Sequence, residues 1–251
     1  MTHVLVTRPQ EASQQLAEQL DVLGLIPVVM PFYTFTARTP EIDMVAVWQT
    51  GEMRKLAVFT SPRAVEFGLP FMPPQNQWGD LQVAVVGSAT RVALEAHGIA
   101  VQIQAQSGFT SEDLLKAPEL ADKPGVAVIF CAPDGRETIA DGLQGLGWAV
   151  EKAMVYGRVP LQPESAQLEL LRGVGDLVSV WTSISALKLA EKSLPRDVWG
   201  KILGSPALVI SSRIQQYLEK LGAGCVELAD GPGNPELLRS LSRLNERRSA
   251  R

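Results

Sequence analysis

The chain has 251 residues, of which 46% are hydrophobic and 20% charged, so it can bury a core of one large or two ordinary domains. A formal net charge of −4 argues against general affinity for nucleic acid or anionic membranes, and the basic C-terminal cluster RLNERRSAR is expected to be a solvated, frayed end. No stretch approaches the roughly 18 consecutive apolar residues that a membrane-spanning helix requires.

Short apolar runs recur along the chain, and most are continuous, as is typical of strands buried on both faces of a parallel sheet. They are VLVT (4–7), PVVM (27–30), LAVFT (56–60), VAVVG (83–87), IAVQI (99–103), VAVIF (126–130), LVSVW (177–181) and ALVIS (207–211). Segments of helical periodicity separate the runs, and four of them end at a glycine suited to a left-handed C-terminal cap: Gly24, Gly98, Gly147 and Gly222. This alternation predicts an α/β fold with helices covering parallel sheets.

The two halves of the chain repeat each other in order. LVTRP (5–9) matches IFCAP (129–133), and LGLIPVVMPFY (23–33) matches LGWAVEKAMVY (146–156). The Thr-Ser turns in FTSPRAVEF and WTSISALKL also align, as do two further pairs of segments, all at a spacing of roughly 123 residues. Because this spacing is far longer than a solenoid repeat, the chain is predicted to contain two copies of one α/β unit.

Polar, proline-bearing stretches near 34–41 and 157–165 each follow an aligned tyrosine of the repeat. If the chain crosses between domains at both, residues 1–35 plus 160–251 form a discontinuous α/β domain, and residues 36–157 form a continuous one. Two crossing segments side by side predict a hinge, which is a common place for a ligand.

Several catalytic motifs are absent from the sequence. There is no GxxxxGK[ST] loop, no GxGxxG after a strand, no HExxH and no GxSxG. His3 and His97 do not by themselves supply a metal site, and no serine has a credible histidine partner. Cys131 and Cys225 lack CxxC spacing, which predicts neither a disulfide framework nor a zinc site and favours a reducing cytoplasm.

Small hydroxyl residues are concentrated where predicted strands give way to helices. These hydroxyl-rich turns are TRP (7–9), TSPRA (60–64), GSAT (87–90), SGFTSE (107–112), APDGRE (132–137), TSISA (182–186) and SSR (211–213). In an open parallel sheet they lie at the carboxyl ends of strands, where ligands bind, and helix N-termini favour anions. Plain N-capping stays open as the alternative for any single serine. Arginines in or beside the turns suit a substrate with several carboxylates: Arg8, Arg63, Arg91, Arg136 and Arg213.

At these residues the chain resembles the uroporphyrinogen-III synthase family. The likeness is carried by VLVTRP, FTSPRAVEF, VVGSATRVALEAHGI, SGFTSEDLL, GRETIADGLQGLGWAVEKAMVYGR and WTSISAL followed by VISSRIQQYLEKLG, which together span essentially the whole chain. The resemblance implies two flavodoxin-like α/β domains joined by a two-strand linker, with the active site in the cleft between them. It also implies a cytoplasmic enzyme, expected to be a monomer, that uses no cofactor or metal and binds neither nucleic acid nor membrane.

The implied reaction closes the linear tetrapyrrole hydroxymethylbilane into uroporphyrinogen III, with loss of water and inversion of ring D through a spiro intermediate. It belongs to the biosynthesis of heme, siroheme and cobalamin, and the bilane could be handed over by hydroxymethylbilane synthase. Substrate and product each carry eight carboxylates. Because closure without the enzyme gives the uninverted isomer, positioning is expected to dominate catalysis. The alternative from another class is a non-catalytic two-lobed binding protein for a small organic anion.

The resemblance gives Tyr156, in AMVYGR, an assisting role in the departure of the hydroxyl group; because a phenol is a weak acid, it is not expected to be essential. Ser61, Thr90 and Ser183 match polar positions that contact the substrate in the family. With the turn residues, the predicted substrate-binding set is Arg8, Ser61, Arg63, Gly87, Ser88, Thr90, Ser107, Gly108, Thr110, Ser183 and Ser212. The second copy has Ile184 and Ser185 where the first has Pro62 and Arg63, which predicts that the two halves bind unequally.

Overall fold

The structure is a computed structural model that describes residues 1–49, 51, 53–105, 110–133, 135 and 137–249. The predicted residues Ser107, Gly108 and Arg136 therefore lie outside the described part of the chain. The chain divides into two compact units, which we call unit 1 (Met1–Phe35 with Arg158–Arg251) and unit 2 (Thr36–Gly157).

Strands and helices alternate along both units. The strands are β1 His3–Val6, β2 Ile26–Val29, β3 Tyr33–Ala37, β4 Lys55–Phe59, β5 Gln82–Val85, β6 Ile103–Gln104, β7 Val126–Cys131, β8 Ala149–Met154, β9 Tyr156–Pro160, β10 Leu177–Trp181, β11 Ala207–Val209 and β12 Val226–Leu228. The helices are α1 Gln10–Val22, α2 Met44–Trp48, α3 Pro62–Gly68, α4 Ser88–Glu95, α5 Ser111–Leu114, α6 Pro118–Ala121, α7 Thr138–Gly145, α8 Ser165–Gly173, α9 Ile184–Ser193, α10 Arg196–Gly204, α11 Ser212–Lys220 and α12 Asn234–Ser249. Short 3₁₀ turns occupy Leu69–Phe71 and Gln75–Gln77.

Each unit contains a five-stranded sheet in which all neighbouring strands are parallel. The order is β12-β11-β10-β1-β2 in unit 1 and β6-β5-β4-β7-β8 in unit 2. Strands β3 and β9, each of which spans a boundary between the units, pair as a two-stranded sheet. The predicted α/β fold with two parallel sheets is confirmed.

The two sheets have the same strand order once the strands are matched through the sequence repeat. Strands β7, β8, β4, β5 and β6 of unit 2 then correspond to β1, β2, β10, β11 and β12 of unit 1. Both sheets follow the 2-1-3-4-5 order of flavodoxin-like folds. In unit 2 the chain enters at the third of these strands, so its connectivity is a circular permutation of that in unit 1.

Both faces of each sheet are buried beneath helices, as continuous apolar strands require. Along β1, Leu5 packs into one core of unit 1, and Val4 and Val6 pack into another, because successive side chains point to opposite faces. In unit 2, Phe59 and Phe130 stack at 4.6 Å between ring centroids and are both fully buried.

The ends of the helices agree with the sequence prediction at the capping glycines and differ from it at the C-terminal segment. The four predicted capping glycines all have positive φ: Gly24 at 68°, Gly98 at 71°, Gly147 at 90° and Gly222 at 92°. The basic C-terminal segment, in contrast, is not frayed up to Ser249, because it forms the last turns of α12. Three of its arginines pair with acidic groups: Arg243 with Asp230, Arg247 with Glu227 and Arg248 with Asp176.

Strand prediction was weakest at the sheet edges. The prediction of a strand at IAVQI (99–103) is wrong over most of its length, because only Ile103–Gln104 pairs with β5. Edge strands β8 and β12 lack a continuous apolar run, since β8 alternates between exposed and more buried positions. Within the described residues, no helix combines the length and the apolar character needed to cross a bilayer.

Candidate functional site

Where the structure describes them, the hydroxyl-rich turns lie at the carboxyl ends of the strands in each sheet, a region we call the carboxyl edge. In unit 2, Ser61 caps α3 directly after β4, and Gly87 caps α4 after β5. In unit 1, Ser183 caps α9 after β10, and Ser211 caps α11 after β11. Small residues occur there because a helix that starts at a strand end leaves its first N–H groups without intrahelical partners.

Ser61 and Tyr156 meet at the carboxyl edge of unit 2. The Ser61 Oγ accepts the backbone N–H of Ala64 at 3.1 Å and lies 3.0 Å from the Tyr156 hydroxyl oxygen. The Tyr156 ring stacks on Phe67 of α3, with centroids 5.8 Å apart and planes inclined by 22°, and the residue is only 6% exposed. Helix α3 therefore contacts both the hydroxyl and the ring of Tyr156.

Helix α3 lies close against the sheet. A Cβ atom on Gly68 would be 2.7 Å from the Cδ1 of Phe130, so only glycine permits this approach without displacement. At the start of the turn, the Thr60 hydroxyl donates to the carbonyl oxygen of Phe130 at 3.0 Å, which ties the ends of β4 and β7 together. The Gly68 contact holds the C-terminal end of α3 against the sheet, and the Thr60 hydrogen bond fixes the turn that precedes its N-terminus.

The GSAT turn presents a mixture of buried and exposed groups. Gly87 caps α4 without a side chain, and its carbonyl oxygen accepts the N–H groups of Thr90 at 3.1 Å and Arg91 at 3.2 Å. Thr90 is only 3% exposed, whereas Ser88 is exposed. The Arg91 guanidinium bonds to the Gln104 side chain, and it also pairs with Glu95 at 3.5 Å. The turn thus offers solvent the Ser88 hydroxyl and the first backbone N–H groups of α4.

Two predicted binding residues of unit 2 are engaged by neighbours on their own helices. The Thr110 hydroxyl donates to Asp113 Oδ2 at 2.6 Å and accepts the Asp113 N–H at 3.2 Å. The hydrogen bond from Thr110 and the nearby Lys116 lower the pKa of the Asp113 carboxyl. The Arg63 guanidinium forms an ion pair with Glu66 one turn along α3, so an incoming carboxylate has to compete with Glu66.

Arg8 follows β1 at the carboxyl edge of unit 1. Its Nη1 donates to the side-chain carbonyl oxygen of Asn234, the first residue of α12. Burial lowers the pKa of the Arg8 guanidinium, and interaction with Tyr33 opposes this effect; a guanidinium nevertheless stays charged at neutral pH. The adjacent Thr7 hydroxyl donates to the Val180 carbonyl oxygen at 2.7 Å and joins the ends of β1 and β10.

The serines of unit 1 act as helix caps. The Ser183 Oγ accepts the N–H groups of Ser185 at 3.1 Å and Ala186 at 3.4 Å. In the SSR turn, Ser211 is the N-cap and accepts the N–H of Ile214 at 3.4 Å, whereas Ser212 is exposed at the first position of α11.

Sequence reasoning did not include Asn234 or Phe67 among the functional residues. The sequence does contain a signal for Asn234, because an asparagine that precedes Pro235 and a helical pattern indicates the start of a helix. Phe67 had none, since nothing in FTSPRAVEF shows which ring its phenyl group will contact.

Two cavities are lined by residues outside the hydroxyl-rich turns. One, of about 330 Å³, is apolar and is lined by Met44, Trp48, Phe71, Met72 and Pro73 among others. Another, of about 380 Å³, lies by the amino ends of β4, β5 and β7 and is lined by Met53, Arg54, Asp80, Gln82, Lys123 and Pro124. Over the described residues, no cluster of three or more His, Cys, Asp or Glu side chains is arranged to hold a metal ion.

Comparisons with known proteins agree with one another. The family model described as Uroporphyrinogen-III synthase HemD matches residues 14–239. The uroporphyrinogen-III synthase of Escherichia coli (strain K12) is 30% identical in an alignment 249 residues long that covers 95% of this chain and 99% of that protein.

Two solved structures share the fold. The uroporphyrinogen-III synthetase of Helicobacter pylori 26695 is 17% identical, with a TM-score of 0.64 over 96% of this chain and 100% of that one. A mutant uroporphyrinogen III synthase from the extremely thermophilic bacterium Thermus thermophilus is 16% identical, with a TM-score of 0.61 over 98% of this chain and 100% of that one.

Proposed function

The chain belongs to the uroporphyrinogen-III synthase family, and from that premise we propose that it cyclises hydroxymethylbilane to uroporphyrinogen III with inversion of ring D. The observation that carries the proposal is the family match over residues 14–239, which includes nearly all of the hydroxyl-rich turns in both units. As a member of this family, the chain is an enzyme of the lyase class.

We propose that the substrate's carboxylates bind at the carboxyl edge of each sheet. Parallel strands place ligand-binding groups at this edge, and the N–H groups of helix N-termini favour anions. In unit 1 the proposed groups are Arg8, Ser183 and Ser212. In unit 2 they are Ser61, Arg63, Gly87, Ser88, Thr90 and Thr110, and Ser107 and Gly108 stay predictions outside the described residues.

The first chemical step is the departure of the hydroxyl group from the hydroxymethyl carbon. The pyrrole nitrogen supplies the electron pair, the C–O bond breaks, and the oxygen leaves as water after gaining a proton. Tyr156 is proposed to assist by donating a hydrogen bond to the leaving oxygen, directly or through water. Its phenol lies at the carboxyl edge of unit 2, within 3.0 Å of Ser61 Oγ.

The second part of the reaction is the choice of which ring carbon attacks. Attack by the substituted carbon of ring D gives a spiro intermediate; one bond of this intermediate then breaks and re-forms at the other side of the ring, which inverts it. Proton loss restores the aromatic pyrrole, so no external oxidant or reductant is needed. The protein's contribution is to hold the substrate in the conformation that favours this attack.

The alternative of a non-catalytic receptor for a small organic anion is not favoured, because the relatives matched over 95% of the chain are named as synthases. The deciding experiment supplies the bilane in situ from hydroxymethylbilane synthase, oxidises the products and separates the isomers by chromatography. Type III product is expected with the purified chain, and type I in a parallel reaction without it. Type I alone in both reactions would overturn the proposal.

Three further properties remain predictions. A monomer is expected in light scattering after size-exclusion chromatography. Direct hand-over of the bilane from hydroxymethylbilane synthase is expected to shorten the lag before product appears when both enzymes are present. A cytoplasmic location is supported by the exposed thiol of Cys225, which lies outside any disulfide. Fractionation of cells that express the chain tests the location.

A further inference from the structure

The contact between Ser61 and Tyr156 indicates that the two residues have different roles in the reaction, which the sequence does not show. Building on the proposed function, we infer that Ser61 is a positioning residue for Tyr156: its hydroxyl holds the phenol hydroxyl in place and acts on the substrate through it. This role replaces direct contact of Ser61 with a substrate carboxylate, which the sequence predicted and the proposed function includes.

The Ser61 hydroxyl is fixed from the helix side. Its Oγ accepts the Ala64 N–H at 3.1 Å, the contact that defines Ser61 as the N-cap of α3. The Oγ has a set position because Gly68 packs closely on Phe130 at the end of α3, and Thr60, next to Ser61, bonds to the Phe130 carbonyl oxygen at 3.0 Å. A hydroxyl 3.0 Å away on Tyr156 is then fixed as well, and the stack on Phe67 fixes the plane of its ring.

The number of hydroxyl hydrogens on Ser61 and Tyr156 decides which group can donate to the substrate. The two hydroxyl groups carry two hydrogens, and the bond between them uses one, whichever group donates it. For Tyr156 to donate to the leaving oxygen, the Ser61 hydroxyl has to donate to the phenol oxygen, and this is the direction that the inference assigns to the bond. Removing the Ser61 hydroxyl takes away its hydrogen bond to the phenol, although Phe67 still contacts the ring.

The sequence repeat provides an internal comparison. Ser183 matches Ser61 in the repeat, and it bonds to the N–H groups of Ser185 and Ala186. Tyr33 matches Tyr156, but it packs edge-on against Phe35 at 5.5 Å between centroids. In the described part of unit 1 no serine–tyrosine pair corresponds to that of unit 2, so capping alone does not generate the pair.

The test measures kcat and KM for Ser61→Ala, Ser61→Thr, Tyr156→Phe and the double variant Ser61→Ala/Tyr156→Phe. Ser61→Ala is expected to lower kcat by about 2- to 10-fold with little change in KM, since it removes one hydrogen bond. Ser61→Thr keeps the hydroxyl and restores kcat. The double variant is expected to be about as slow as the slower single variant, because the two residues act together. A raised KM for Ser61→Ala, with independent effects in the double variant, would overturn the inference.

A matched control separates positioning from the loss of a helix cap. Asp43→Ala removes the N-cap of α2, where Asp43 accepts the N–H groups of Val45 at 3.1 Å and Ala46 at 3.0 Å. This variant is expected to unfold more easily and to keep the kcat of the wild type. If Asp43→Ala lowered kcat as much as Ser61→Ala, the effect of Ser61 would be one of stability alone, and the inference would fail.

A second readout does not depend on activity. The chain has three tyrosines, so ¹³C labelling of the ring Cζ gives a short spectrum in which Tyr156→Phe identifies one resonance. That resonance is expected to move in folded Ser61→Ala and to return towards its original position in Ser61→Thr. A stationary resonance would contradict positioning even in an active synthase. A moving resonance in a chain that produced only type I isomer would contradict the proposed function and leave the positioning role standing.

Discussion

At the residue scale, the carboxyl edge of unit 2 combines the Tyr156 hydroxyl with several capping groups. The carboxylates of Asp113 and Glu66 at this edge form ion pairs with Lys116 and Arg63. Tyr156 is only 6% exposed, and its hydroxyl group contacts that of Ser61, which lies 95 positions earlier in the chain. This arrangement is suited to orienting a leaving group that is already prone to depart.

Tyr156→Phe is therefore expected to slow turnover by about 2- to 10-fold without abolishing it, because one hydrogen bond to the leaving oxygen is lost. Steady-state kinetics with the bilane made in situ measures the effect. Complete loss of type III product from a folded Tyr156→Phe chain would show that the phenol is an essential acid.

Arg8 provides a second prediction at this scale. Arg8→Ala is expected to raise KM by about 5- to 100-fold and to change kcat less, since a charged hydrogen bond to a substrate carboxylate is lost. Arg172→Ala is the matched control in unit 1: Arg172 pairs with Glu169 and Asp197, and it lies at the end of α8, which precedes β10. An equal rise in KM for both variants would show that only overall charge matters.

The sequence was informative about individual caps but not about contacts between distant segments. Ser61 and Ser183 were identifiable because a serine followed by a helical pattern satisfies a free N–H group. The choice between Ser211 and Ser212 was not, since either serine of SSR could cap α11. The Ser61–Tyr156 bond depends on how β4 and β9 are placed in three dimensions, which local patterns do not encode.

At the element scale, helix α12 is tied down near both ends within unit 1. Its first residue, Asn234, bonds to Arg8 at the carboxyl edge. Near its other end, Asn245 contacts Thr2 at 2.8 Å, and Arg248 pairs with Asp176, which precedes β10. The basic segment looked like a solvated tail in sequence because its acidic partners are distant along the chain.

The Asp176 contacts predict a pH dependence of stability. Burial raises the pKa of the Asp176 carboxyl, but hydrogen bonds from Thr2 and Arg248 and the charge of Arg248 outweigh it, so the pKa is lowered overall. The folded-state pKa is thus below the unfolded value of about 3.9, so the contribution is full above that pH and is lost as pH falls through the folded value. Urea unfolding is measured between pH 7 and pH 2. At neutral pH, Asp176→Asn should have a lower free energy of unfolding than the wild type, and this free energy should fall less as the pH is lowered. Identical curves for wild type and variant would contradict this account.

The packing of α3 gives a prediction about Gly68. Gly68→Ala is expected to lower the free energy of unfolding by about 1–3 kcal/mol, because its Cβ meets the ring of Phe130. It should also reduce kcat by shifting Ser61. Gly145→Ala is the control in unit 2, since a Cβ there meets nothing within 4 Å, and its effect on stability should stay within about 0.5 kcal/mol. Equal unfolding midpoints for the two variants would show that α3 can move without cost.

At the scale of the whole molecule, the duplication accounts for the architecture of both units. Matching the strands through the repeat gives one strand order for both sheets, although the chain enters the sheet of unit 2 at a different strand. Central strands such as β4, β7 and β10 were predictable because their apolar runs are continuous. Edge strands β6, β8 and β12 were not, since one side of an edge strand needs no partner and its sequence is less constrained.

The same duplication places chemically similar turns in each unit, yet only unit 2 has the described serine–tyrosine pair. We therefore expect catalysis to depend on the orientation of the bound tetrapyrrole more than on any single side chain, so most single substitutions should alter rate before they alter which isomer forms.

The most direct measurement of the proposed synthase activity is the isomer composition of the product as the concentration of the wild-type chain is raised at a fixed rate of bilane supply. The account predicts that type III rises with enzyme concentration until it replaces the type I isomer, as enzymatic closure outruns spontaneous closure. A proportion of type III that stays at the level of the enzyme-free reaction at every concentration would contradict it.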